Sequence, residues 1–285
     1  MNRFTYTEES LAANDGLQLY VRRCEASRPA GEVIIVHGFG EHSGRYTALT
    51  EHLVNAGYSV TAYDHRGHGR SEGLPGHVEN FTEYEKDLNH VIEWTGSRGS
   101  TADLFLLAHS MGGLVSLRYL SQGANKSRRL IRGAVISAPL IAVAIPVPQH
   151  KLIIGHVAAK LAPRLRLENE IDPTVLSRDA SVGVAYAADP LVHRKVSARW
   201  FSEAGRAMNE LVEHASRITA PLLILHGSAD RLASVDATRA LFPKITSGDK
   251  QLVILEGYYH ELFNEPEKRE LFKRVTIWLA ERATS

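Results

Sequence analysis

The chain has 285 residues, long enough for one large α/β core carrying an insertion. Its 33 Lys and Arg against 32 Asp and Glu leave a formal charge of +1, so no overall field exists to hold nucleic acid, which is excluded as a partner. A single cysteine, Cys24, permits neither an internal disulfide nor a thiolate metal cluster, and Thr7-Glu8-Glu9 stands where a secretory signal would need an apolar run; both point to a cytoplasmic location.

Taken in chain order, the pattern opens with two short strands, 4–8 and 17–22, joined across the turn Asn14-Asp15-Gly16. Uniformly apolar runs follow at 33–36, 58–63, 104–108 and 134–137. They alternate with amphipathic stretches near 46–56, 81–94 and 111–120. Buried parallel strands read as continuous apolar runs and their crossover helices as periodic ones, so residues 1–140 form a βαβ series. The alternation stops after Leu140 and resumes with strands at 222–226 and 252–255 and a last helix from about Pro266 to Ala280. The expected organisation is a core of 1–140 and 214–285 with a cap inserted at 141–213. The uncharged stretch from Gly133 to Gln149 is broken by Pro139, Pro146 and Pro148 and is too short to span a membrane.

In Ala108-His109-Ser110-Met111-Gly112 an apolar strand ends, a serine follows and a helix starts at once. That is the pattern of a nucleophile elbow, where small residues two before and two after the serine let strand and helix backbones approach. Ala108 stands where Gly is usual. A serine hydroxyl is a weak nucleophile near neutral pH, so acyl transfer needs an imidazole to take its proton and a carboxylate to orient the imidazole. Asp230 and His260 follow late strands in the order the elbow requires, and all three would meet at the carboxyl edge of the sheet. Asp236 and Glu256 compete for the acid role, but Asp230 follows its strand most directly. Two backbone N–H groups should receive the negative charge that develops on the carbonyl oxygen: Met111, directly after the serine, and Phe39, flanked by Gly38 and Gly40 after the 33–36 strand.

These residues resemble the α/β-hydrolase fold and, within it, the monoacylglycerol lipase and lysophospholipase-like family. The resemblance is carried by residues 37–46, Asp64 to Gly73, His109 to Gly113, Gly227 to Leu232 and Tyr259-His260. It extends into the insertion at Val175 to Arg178 and Asp189 to Leu191. It implies a mostly parallel sheet with helices on both faces and a cap, and a serine hydrolase without a cofactor that cleaves a fatty acyl ester, most simply a monoacylglycerol. A lysophospholipase, a general carboxylesterase and an aminopeptidase of the same fold are the alternatives, the last needing cap carboxylates such as Glu168, Glu170 and Glu203 to hold a substrate ammonium. Ala108 and the Ala142 to Gln149 stretch depart from the family pattern. Glu41 and Arg45 beside the oxyanion loop could bind a glycerol hydroxyl or pair with each other, the second being the favoured reading.

Readings of other classes fit less well. Gly38-Phe39-Gly40 resembles the start of a dinucleotide fingerprint, with Asp64 at the end of the next strand, but Ser43 stands where the third Gly belongs. His65 and His68 lack the helical spacing of zinc hydrolases and read as a rigid turn with exposed rings, so no metal is expected. A binding protein would need none of Ser110, Asp230 and His260. In the insertion, Ile153, Val157 and Leu161 recur at four-residue spacing, as do His156, Lys160 and Arg164. A helix with an apolar and a basic face is therefore expected, suited to peripheral contact with a membrane or micelle.

Overall fold

The computed structural model describes residues 5–98, 103–122, 130–145, 149–169 and 171–283. Strands β1 (Tyr6–Ala12) and β2 (Gln18–Cys24) form the expected opening hairpin. β1 runs further than its sequence suggests because both of its faces are largely exposed, which blurs the alternation. Strand β3 (Gly31–Val36), helix α1 (Thr47–Asn55), strand β4 (Tyr58–Tyr63), helix α2 (Thr82–Gly96), strand β5 (Leu104–His109), helix α3 (Met111–Ser121) and strand β6 (Ile131–Ser137) then follow as the alternation predicts.

Between β6 and the next sheet strand lie helix α4 (Gln149–Leu161), strand β7 (Arg166–Glu168), helix α5 (Ala180–Ala188), strand β8 (Lys195–Ser197) and helix α6 (Ala198–His214). Strand β9 (Leu222–Gly227), helix α7 (Val235–Leu241), strand β10 (Lys250–Leu255) and helix α8 (Lys268–Ala280) complete the chain. The main sheet has eight strands in the order β1-β2-β4-β3-β5-β6-β9-β10, parallel from β4 to β10 and antiparallel at the β1–β2 and β2–β4 steps. β3, β4, β5 and β9 are buried at every position, as parallel strands covered on both faces must be. One face packs Ile34, Leu106 and Ile224 against Leu88 of α2, Val115 of α3 and Leu211 of α6; the other packs Val33, Phe105 and Leu223 against Leu53 of α1 and Val275 of α8.

The segment 141–213 is rooted in this core at its far end. Trp200, Ala204, Ala207 and Leu211 of α6 are buried in the first apolar layer, and Arg118 of α3 donates to Glu210 at 2.7 Å and to the Ala207 carbonyl at 3.2 Å. A separate two-stranded sheet, β7 with β8, rests on core loops: the Ser197 N–H donates to the Gly76 carbonyl at 2.8 Å and the His193 N–H to the Gly40 carbonyl at 3.0 Å. Helix α4 meets α6 through small residues, with Ala159 buried and Gly155 against the Phe201 ring. Among its described side chains the large ones point elsewhere: Ile154 is 64% exposed, Val157 50% and Leu161 82%. Among the described residues, every large apolar side chain this exposed except Leu130 and Ile277 lies within 141–213. The helix ends at Leu161, so Arg164 sits in the turn beyond it rather than on the expected basic face; the Ile153 and His156 side chains lie outside those described.

Candidate active site

Ser110 sits between β5 and α3 with φ 52° and ψ −116°, a backbone conformation that costs a non-glycine residue about 1–3 kcal/mol and must be held by its surroundings. They hold it: the Ser110 N–H donates to the Ser137 carbonyl at 3.0 Å, and its own carbonyl accepts from the Leu114 and Leu140 N–H groups at 3.1 and 3.0 Å. Gly112 explains the small-residue requirement, because a Cβ there would lie 2.1 Å from the Val36 carbonyl oxygen. Ala108 satisfies the other small position with its methyl wholly buried.

His260, in the loop after β10, brings Nε2 to 3.0 Å from Ser110 Oγ, while its Nδ1 lies 2.7 Å from Asp230 Oδ2 in the loop after β9. The three side chains thus form one hydrogen-bonded line across 150 residues of sequence. The competing acids stand apart: Asp236 is exposed and pairs with Arg239, and Glu256 is exposed. Asp230 is held from its other side as well, with Oδ1 accepting from the Leu232 and Ala233 N–H groups at 2.8 and 3.0 Å. Burial by itself would disfavour the carboxylate, but His260, and after it His226, hold the group well below the usual carboxylate range. Burial also works against a charged His260, yet the Asp230 carboxylate outweighs it and leaves the imidazole above its ordinary pKa of 6.5. His109, the serine's neighbour, contrasts. Burial, and then the nearby His260, push it down to about 3, and its Nδ1 faces Ser137 Oγ at 3.4 Å.

The loop after β3 approaches the serine closely, since a Cβ on Gly38 would lie 3.2 Å from Ser110 Cβ. Its peptide groups are fixed from both sides. The Gly38 N–H donates to Glu41 Oε1 at 2.6 Å, and the Gly38 carbonyl accepts from His37 Nδ1–H at 2.7 Å. The tautomer follows from the other ring nitrogen, His37 Nε2, which accepts from the His65 N–H at 2.9 Å. Because a trans peptide points its C=O and N–H in opposite directions, that clamp turns the Phe39 N–H away from His37. Neither the Phe39 nor the Met111 N–H has an acceptor among the described residues. Met111 is free because it opens α3, where the first N–H groups lack intrahelical partners.

Glu41 and Arg45 form the pair the sequence favoured, with an unforeseen third member. Glu41 accepts from Gly38 N–H, from Tyr46 O–H at 2.7 Å and from Arg45 at 3.0 Å, and Arg45 makes a second, bidentate pair with Glu261 at 2.6 and 2.8 Å. All are buried or nearly so. Although burial opposes it, the Arg45 charge keeps Glu41 below its ordinary value. Glu261 adjoins His260, so this chain of charges ties the histidine's loop to the loop after β3. Nothing but adjacency marked Glu261 in the sequence.

His65 and His68 differ from expectation. Their rings are fully buried, packed with His37, Phe39, Tyr84 and His193, because the turn after β4 folds under the loop after β3 instead of facing water. Burial drives both well below the ordinary imidazole pKa. The carboxylates of the 141–213 segment considered for a substrate ammonium are committed elsewhere: Glu203 accepts from the Phe81 N–H at 3.1 Å and pairs with Arg206, Glu168 pairs with Lys195, and Glu170 lies outside the described residues. The first residues of the departing 142–149 stretch run beside the Asp230 loop, the Ser234 N–H donating to the Ala142 carbonyl at 2.9 Å.

An eight-stranded, mostly parallel sheet with a strained serine at the β5–α3 turn defines an α/β hydrolase. Residues 27–267 match the hydrolase family described as serine aminopeptidase, S33, and the chain belongs to that family. A monoacylglycerol lipase of Mycolicibacterium smegmatis is 34% identical over 277 residues, 96% of this chain and 97% of that protein. A phospholipase of Bacillus subtilis is 32% identical, covering 87% of this chain and 95% of its own length. Among solved structures, the monoacylglycerol lipase of Paleococcus ferrophilus superimposes with a TM-score of 0.84 at 35% identity, over 93% of this chain and 99% of that one.

Proposed function

We propose that this hydrolase cleaves a carboxylic ester of a lipid, a monoacylglycerol to fatty acid and glycerol, through an acyl-enzyme on Ser110. The observation that carries the reading is the continuous Ser110–His260–Asp230 hydrogen-bond line. Neutral His260 accepts the Ser110 proton as Oγ attacks the ester carbonyl, and Asp230 stabilises the imidazolium so formed. The oxyanion is received by the Phe39 and Met111 N–H groups. Collapse expels the glycerol oxygen, which takes the proton from His260 Nε2. A water molecule then gives its proton to His260, attacks the acyl-enzyme, and the fatty acid leaves as Ser110 recovers its proton.

The lipid character is supported by the named relatives and by the segment 141–213, read here as a lid. Ile154, Val157 and Leu161 offer apolar area outward, and exposed Lys160 and Arg164 flank it, a composition suited to lying on an anionic surface. Among the described residues no helix is long and apolar enough to cross a membrane. The commitments of Glu203 and Glu168 weigh against an aminopeptidase. The test is labelling with a fluorophosphonate, expected on Ser110 alone, followed by a chain-length series of monoacylglycerols, lysophospholipids and aminoacyl amides. Faster turnover of lysophospholipids would move the head-group assignment, and turnover of the amides alone would defeat the ester reading.

A further inference from the structure

A second histidine reaches the Asp230 carboxylate. His226, near the end of β9, has a wholly buried ring, and the chemistry above makes no use of it. Its Nε2 lies 3.2 Å from Asp230 Oδ2 and 3.2 Å from the Ala233 carbonyl oxygen. Both of those atoms only accept, so Nε2 carries a proton, directed at the Ala233 carbonyl with the Asp230 carboxylate oxygen beside it as a charged neighbour. Nδ1 lies 2.9 Å from Thr238 Oγ1 on α7 and accepts the threonine O–H in the neutral ring. The carboxylate therefore accepts three hydrogen bonds, two from amides on Oδ1 and one from His260 Nδ1–H on Oδ2, and has the Nε2–H of His226 as a fourth polar neighbour at 3.2 Å from Oδ2.

We propose that His226 is a positioning residue for the reaction, fixing Oδ2 of Asp230 in line with His260 Nδ1 and sharing the carboxylate's charge. The inference rests on the roles given above to Ser110, His260 and Asp230. Its consequence is electrostatic as well as geometric. Every donor to a carboxylate draws off charge, so losing the His226 N–H leaves Oδ2 pulling harder on the His260 proton and stabilising the imidazolium more. The other charged or titratable groups around His260, namely Glu261, Glu41, Arg45 and His109, are unchanged by that loss. A purely structural His226, tying β9 to α7 through Thr238, would lower stability without altering the titration.

The test compares two variants of similar side-chain volume in the full chain: His226→Gln, whose amide can donate where Nε2 does, and His226→Met, which cannot. Active sites are counted with a fluorophosphonate, and kcat/KM is followed against pH on a short, water-soluble nitrophenyl ester. His226→Met should lower kcat per titrated site by roughly tenfold and move the acid limb upward by about half a unit, with His226→Gln staying near the unsubstituted protein. An unmoved limb in His226→Met, or equal shifts in both variants, overturns the proposal. Should His226→Met fail to fold, Thr238→Val, which removes the hydroxyl that fixes the tautomer, is expected to move the limb the same way by less; no movement there overturns it equally. Failure of the underlying reading is separate, because the unsubstituted protein would then not titrate at Ser110.

Discussion

At the scale of single residues the site turns on which imidazole faces the serine. The His109 and His260 rings pack at a tilt with centroids 4.7 Å apart, yet only His260 directs a nitrogen at Ser110 Oγ. Ser110→Ala should therefore cost about 10⁴-fold in kcat, leaving the rate that the oxyanion loop and binding still provide. His260→Ala should do comparable damage, whereas His109→Ala should stay within about tenfold of the starting rate. The reverse ranking in a steady-state ester assay would reassign the base. Because Asp230 holds the His260 pKa above 6.5, and only the neutral ring accepts the serine proton, activity should fall as pH drops through that raised value. A kcat/KM profile whose acid limb lies below 6.5 would contradict the pairing.

At the scale of elements, the loop after β3 and the helix α4 each pose a choice. Glu41 could serve glycerol or hold the loop; its three internal donors favour the loop. Glu41→Gln turns an amide toward Arg45 or Gly38 and should lower kcat about a hundredfold even on a short nitrophenyl ester, with KM little changed. A glycerol-binding role would instead raise KM for monoacylglycerols and spare the short ester. For α4 and the turn after it, replacing Lys160 and Arg164 with Glu should slow hydrolysis on anionic vesicles and leave the short ester unaffected. The vesicle effect should fade with salt, since the Debye length shortens to about 3 Å at 1 M. Equal losses on both substrates would point to damaged folding, and no loss on vesicles would make α4 plain structure.

At the scale of the whole molecule, the buried imidazoles set an acid limit on stability. His37, His65, His68, His109 and His193 all lie below the ordinary value, chiefly through burial, with His193 at about 4 and His109 at about 3. A histidine held neutral by the fold takes up protons on unfolding, so stability falls as pH descends from about 6.5 toward those depressed values. His260, raised, works in the opposite sense, and Asp230, depressed, adds a loss only once pH falls below about 3.8. Thermal stability should therefore fall steeply as pH drops from about 6.5 to 4, and His68→Phe should flatten that slope. A melting temperature independent of pH over this window would show that the cluster hydrates or ionises without cost.

Sequence alone determined the strand and helix series of 1–140, the late strands, the elbow at Ser110 and the order serine, acid, histidine, because each rests on local periodicity or on residues adjacent in the chain. The meeting of Asp230 with His260, rather than of Asp236 or Glu256, was legible from its distance to a strand end. The burial of His65 and His68 was not, since a turn rich in Gly and His reads as solvent-exposed until the loop after β3 is laid over it. The apolar stripe of α4 and its expected surface contact rested on the spacing of Ile153, Val157 and Leu161, while the packing through Gly155 and Ala159 that turns Val157 and Leu161 outward was decided by the tertiary structure. Glu261 against Arg45 was decided only by the tertiary structure, because the two lie in loops after different strands and their contact leaves no local pattern behind; His226 stands four residues from Asp230, but the turn of its ring toward that carboxylate was decided by the fold of the loop after β9 and by Thr238 of α7.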